Sequence, residues 1–134
     1  MIAIDTSVVV AAFASWHEDH ATAARALRDH PDLPAPVALE AYAVLTRLPP
    51  PHRASAGIVR DFLARAFPVA WLTLPDDGWP RLLDALRDLG VMGGASYDAV
   101  IGLTALHNGR ELLTLDRRAH RTYDLVGVHA RFLG

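Results

Sequence analysis

Two short apolar runs, "IAI" at residues 2–4 and "ELLTL" at 111–115, each end on an aspartate, and most of the chain between them has helical periodicity. Strands this short find their backbone partners only in other strands, and strands separated by helices pair in parallel. The order of elements therefore restricts the chain to the α/β class, with a mostly parallel central sheet covered by helices. The pattern predicts a strand at Ile2–Ile4, then helices over Ser7–Phe13 and from His17 to about Asp29. "HPDLPAP" is a loop. "PVALEAYAVLTRL" is an apolar helix with Pro36 near its start, and "PPP" ends it. "ASAGIVRDFLARAF" is a helix, "VAWLTL" a strand, "PDDG" a turn, and "WPRLLDALRDLG" an amphipathic helix. A further helix runs from about Ser96 to Asn108 and stops at Gly109. "ELLTL" is a strand, "DRRAHR" a turn or short helix, and "VHARFL" a final edge strand.

The length of 134 residues suits a single domain spanning 1–134. About half the residues are hydrophobic and about a fifth are charged, the balance of an ordinary globular protein. No apolar run approaches the roughly 18 residues of a membrane span, and "MIAIDTS" reaches an acid too early for a leader. Cysteine is absent, which excludes disulfides, thiolate metal sites and cysteine nucleophiles. The expected compartment is the cytoplasm. The net charge of −2 supplies no global attraction for nucleic acid. Every basic residue is Arg, so chemistry that depends on a lysine is excluded, while bidentate contact with phosphate remains available.

Four acids stand in apolar settings: Asp5 after the first strand, Glu40 inside "VALEAYAVL", Asp98 at the head of "DAVIGLTAL", and Asp116 at the end of "ELLTL". Ligands bind open parallel sheets beyond the C-terminal ends of the strands, where Asp5 and Asp116 fall. Glu40 and Asp98 lie on helices whose apolar bodies pack on the sheet, which is expected to turn them inward. Each acid has a structural explanation as well. Asp5 and Asp116 could cap helices, and Asp98 sits where an anion gains roughly 0.3–1 kcal/mol from the helix dipole. Glu40 is hardest to explain structurally, because a lone carboxylate among apolar side chains costs several kcal/mol. Four carboxylates sharing a pocket stay ionised together only around a cation. An all-oxygen donor set without Cys or clustered His suits Mg²⁺ or Mn²⁺.

The pieces "IDTSVVVA", "LEAYAVLTRLP", "YDAVIGLTAL" and "LLTLDRRA", in this order and at this spacing, resemble the PIN-domain ribonucleases, and within them the VapC-type toxins of toxin–antitoxin pairs. The resemblance covers the chain from end to end. It implies a three-layer α/β/α fold and a Mg²⁺-dependent endoribonuclease with Asp5, Glu40, Asp98 and Asp116 as the acidic quartet. Ser7 and Thr114 match the family's polar residues near the first and last acids and would support them. Asp5 and Asp98 would be the firmest metal ligands. Glu40 and Asp116 would bind through water or complete the site with RNA present. Hydrolysis by metal-activated water would leave 5′-phosphate and 3′-OH ends. The implied partners are an RNA substrate, a cognate antitoxin and a second copy of the chain.

The alternative within the same fold is a catalytically silent PIN-like module that binds RNA or protein. A receiver domain would need an acidic pair after the first strand and a late lysine. A haloacid-dehalogenase-like phosphatase would need an acid where Ser7 stands. Arg117, Arg118 and Arg121 form either a phosphate-binding group or a solvated basic turn. The two histidines of "HEDH" are read as part of a surface helix, and Trp71 and Trp79 as packing residues.

Overall fold

The computed structural model describes residues 1–134. Its elements are β1 (Ile2–Ile4), α1 (Thr6–Phe13), α2 (His20–Leu27), α3 (Ala35–Thr46), α4 (Ala56–Ala66), α5 (Gly78–Leu89), α6 (Ala95–His107), β2 (Glu111–Thr114), α7 (His120–Val126) and β3 (Ala130–Phe132). The sheet order is β1-β2-β3, and both pairings are parallel, with Ile4 opposite Leu113 and Leu112 opposite Ala130. The fold is a three-layer α/β/α arrangement, as expected. No helix is long and apolar enough to cross a membrane.

The expected strand "VAWLTL" is reduced to a single parallel bridge between Leu72 and Pro34, and a second bridge joins Asp32 to Ala3. The sheet thus continues past β1 by isolated pairings. Leu72 donates to Leu33 O at 2.9 Å, and Ala35 donates to Leu72 O at 2.8 Å. The reason lies in the partner segment: Pro31 and Pro34 have no N–H to give a ladder, and Val69 and Ala70 beyond it are exposed. Helix α2 also begins later than its periodicity predicts, at His20 rather than His17. The Asp19 N–H donates to His17 Nδ1 at 3.0 Å, and this local bond holds "HED" in a turn.

The apolar periodicity becomes one contiguous core. It contains Ile4 of β1, Val8 and Val9 of α1, Val37 and Leu45 of α3, Val59 of α4, Ile101 of α6, Leu112 of β2 and Tyr123 of α7. Trp71 is partly buried and its Nε1–H donates to Phe67 O at 3.3 Å, but Trp79 is exposed, contrary to its reading as a packing residue. The first turn of α5 leaves Trp79 outward together with Leu83. What matters for function is the pairing of β1 with β2, which brings the two strand-terminal aspartates to the same rim of the sheet.

Candidate active site

Asp5 follows β1 directly and is the N-cap of α1, with extended backbone at φ −94°, ψ 180°. Its N–H still belongs to the sheet and donates to Leu113 O at 3.1 Å. Asp5 is the most enclosed acid in the chain, at 2% exposure. Oδ1 accepts from Ser7 Oγ at 2.5 Å and from Val8 N–H at 3.4 Å, and Oδ2 accepts from Tyr123 OH at 2.8 Å. Asp5 caps the helix, and the same side chain takes the hydrogen bonds from Ser7 and Tyr123.

The Ser7 hydroxyl connects β1 to β2. Besides donating to Asp5 it accepts from Leu115 N–H at 2.8 Å and lies 3.5 Å from Thr114 Oγ1. Thr114 Oγ1 in turn accepts from Asp116 N–H at 3.0 Å. Buried Thr114 therefore sets the turn that carries Asp116 off the end of β2, and Asp116 Oδ1 accepts from the N–H of Arg118 at 2.9 Å. The Arg118 guanidinium lies 3.6 Å from the same oxygen, whereas Arg117 lies over the Phe132 ring at 3.8 Å. Arg121 is exposed on α7. Of the three arginines, Arg118 is the one beside the acids.

Glu40, on α3, faces the strand ends across a cleft of about 400 Å³ that is also lined by Thr6, Ser7, Val44, Leu115, Asp116 and the turn His17–Asp19. Asp98 stands in the first turn of α6. Glu40 and Asp98 are half-buried rather than enclosed in the core, which reduces the desolvation penalty that made Glu40 hard to explain. No group of three or more His, Asp or Glu side chains is gathered closely enough to hold a metal ion as the side chains stand. The acids nevertheless feel one another. Burial first, and then the charges of Glu40, Asp116 and Asp5, push the Asp98 carboxyl up from 3.8 to about 6. Burial also raises the Asp5 carboxyl, against the opposing hydrogen bonds from Ser7, Thr114, Tyr123 and Val8.

Tyr123 is the residue that sequence reasoning missed. Burial, then the nearby Asp5 charge, raises its phenol and keeps the O–H in place as a donor. Its spacing with Val126 marks a buried helix face, but nothing local announces a hydroxyl aimed at an acid 118 positions earlier. Gly102 of α6 lets α7 come this close. A Cβ there would meet Val126 Cγ2 at 2.9 Å and Tyr123 Cδ1 at 3.2 Å. Gly102→Ala is accordingly expected to destabilise the fold by about 1–3 kcal/mol through overpacking, readable as a lower Tm in thermal denaturation. An unchanged Tm would mean that α7 gives way freely.

The profile of the PIN domain family matches residues 2–125. The chain is 47% identical over 133 residues to ribonuclease VapC40 of Mycobacterium tuberculosis, found in two strains, with 99% of each chain covered. It is 36% identical over 130 residues to ribonuclease VapC27 of the same species, covering 96% of this chain and 93% of the relative. Coverage this complete means that the chain belongs to the PIN domain family, in the branch represented by the VapC ribonucleases.

Proposed function

We propose that the chain is a Mg²⁺- or Mn²⁺-dependent endoribonuclease, the toxin of a toxin–antitoxin pair, which hydrolyses RNA phosphodiester bonds in the cleft between α3 and the ends of β1 and β2. The observation that carries this reading is the Asp98 carboxyl, raised to about 6 by burial and by three neighbouring carboxylates. Charging Asp98 beside those carboxylates costs stability at neutral pH, and a bound cation would offset that cost. The donors present are all oxygens, which fits a hard divalent ion. Thr6 adds a second sign of a missing ligand: its buried Oγ1, in the wall of the same cleft, has no hydrogen-bond partner. It suits a water or a phosphate oxygen held there.

When bound, the ion activates a water and neutralises charge on the phosphoryl group. The chain contributes rigidity and placement. Asp5, fixed by Ser7, Val8 and Tyr123, has one orientation to offer. Asp98 and Asp116 complete the acidic rim, and Glu40 on the opposite wall binds through water or meets the substrate side. Arg118, beside Asp116, is placed to take an RNA phosphate. The names of the 47%- and 36%-identical relatives support RNA as the substrate class. An antitoxin and a second copy of the chain are the proposed partners, with the exposed Leu39 of α3 and Tyr97 of α6 as apolar surface for them.

The test is cleavage of RNA by the purified chain in Mg²⁺ and in chelator, with chemical mapping of the ends. Cleavage only with metal, leaving 5′-phosphate and 3′-OH termini, is expected. Ends carrying 2′,3′-cyclic phosphate overturn the mechanism, and RNA that is bound but left intact under all conditions assigns the silent binding module instead.

A further inference from the structure

The turn His17–Asp19 lines the same cleft as Glu40 and Asp116, and the residue just before it is a half-exposed tryptophan. The Trp16 ring stands 6.0 Å from that of His17 and 4.1 Å from that of His52, tilted by 37° and 32°. Three rings thus lead from the cleft wall outward to the loop between α3 and α4. That loop carries two cations: Arg47, at the C-cap of α3, and Arg53, whose Nε–H donates to Leu48 O at 2.8 Å and anchors the loop backbone. Both side chains are exposed. Glu40, Val44 and Arg47 follow at i, i+4 and i+7, so the cleft-lining face of α3 runs directly toward this cationic end.

Leaving half of an indole in water forfeits burial energy that the core could have used. The ring packs against His52 rather than being left free. An aromatic face pre-ordered beside a backbone-binding cleft, with guanidinium groups a few residues away, has the composition of a nucleobase platform: stacking accepts any base, and the arginines hold the flanking phosphates.

We propose that the Trp16–His52 pair is a stacking platform for an unpaired base of the RNA whose backbone crosses the Glu40–Asp116 cleft. This rests on the reading of that cleft as the RNA-cleaving site, and it adds the requirement that the substrate be single-stranded next to the cut. The platform sets affinity, and the acids at the far side of the cleft carry the chemistry.

The experiment compares wild type, Trp16→Phe, Trp16→Ala and His52→Ala on a short single-stranded RNA. Trp16→Ala is expected to raise KM about tenfold with kcat within about twofold, and Trp16→Phe to retain most of the affinity. A second readout keeps the native ring. In an Asp98→Asn, Trp71→Phe, Trp79→Phe protein only Trp16 fluoresces, and RNA is expected to quench it, with less quenching by the same RNA carrying an abasic position. Because this readout needs no Trp16 substitution, it holds even where Trp16→Ala fails to fold. Wild type that cleaves no RNA refutes the nuclease reading and the platform with it. Wild type that cleaves, with KM unchanged in Trp16→Ala and quenching that ignores the abasic position, refutes the platform alone. Loss of antitoxin binding with RNA kinetics untouched also refutes it and assigns the ring to a protein contact.

Discussion

Asp98→Asn is expected to reduce RNA cleavage about a thousandfold while making the metal-free protein more stable at neutral pH. The two effects have one cause. The carboxyl of Asp98 is pushed up to about 6 from an ordinary 3.8, so the folded chain holds this proton more tightly than the unfolded chain does. Its penalty is absent below about pH 3.8 and complete above about pH 6, and stability therefore falls as pH rises through that window. Asp5, also raised, adds in the same direction. Asparagine has no charge to lose, so the variant should show a flatter Tm-against-pH curve between pH 4 and 7. At pH 7.5 without metal it should melt above the wild type. Mg²⁺ should raise the wild-type Tm at pH 7.5 by mass action, raise it less at pH 4.5 where protons compete, and raise that of the variant least. Removing one ligand takes away several kcal/mol of charge stabilisation in the transition state, which corresponds to the thousandfold loss. Cleavage assays and thermal scans check both halves. Equal cleavage by the two proteins would refute the catalytic assignment of Asp98, and identical pH slopes would refute the account of its crowding.

The second large effect is expected from Tyr123→Phe. The substitution keeps the ring against Gly102 and Val126 and removes one oxygen. Asp5 Oδ2 then loses its 2.8 Å donor in a setting closed to water. A buried acceptor left unpaired costs about 1–3 kcal/mol, and more when it is charged. The Asp5 carboxyl rises further, since one of the hydrogen bonds that opposed burial is gone. Cleavage at neutral pH should fall by about tenfold or more, and extra Mg²⁺ or a higher pH should recover part of it, because both favour the ionised carboxylate. A role confined to packing would give a lower Tm and no recovery. Recovery of this kind would make Tyr123 a positioning residue that acts through Asp5.

The positions that repeat a simple physical rule were readable from the sequence. Ile2–Ile4 and "ELLTL" pair because short apolar runs between helices have no other partner, and the four acids were legible as charges in apolar settings. Ser7 and Thr114 came from the family's pattern, and their hydrogen bonds show why that pattern exists: together they lock the end of β1 to the end of β2. "VAWLTL" had the composition of a strand, but whether a strand forms depends on its neighbour, and that neighbour is rich in proline. Tyr123 and the turn His17–Asp19 were illegible for a related reason. Their roles come from contacts between segments distant in the chain, which periodicity does not encode. "HEDH" has the composition of a surface helix start, and the early local bond from Asp19 to His17 turned it into a cleft wall instead.

The pairing of the first strand with the eighth element of ten has a consequence during synthesis. Asp5 leaves the ribosome early, whereas Asp98 and Asp116 emerge near the end. At about 5–20 residues per second, the acids that must meet are separated by on the order of ten seconds. Throughout that interval β1 lacks its β2 neighbour, and Ser7 has no Leu115 to hold. A nascent chain therefore carries the first carboxylate without its later neighbours. The fold order delays the meeting of Asp5 with Asp116 until the protein is nearly complete.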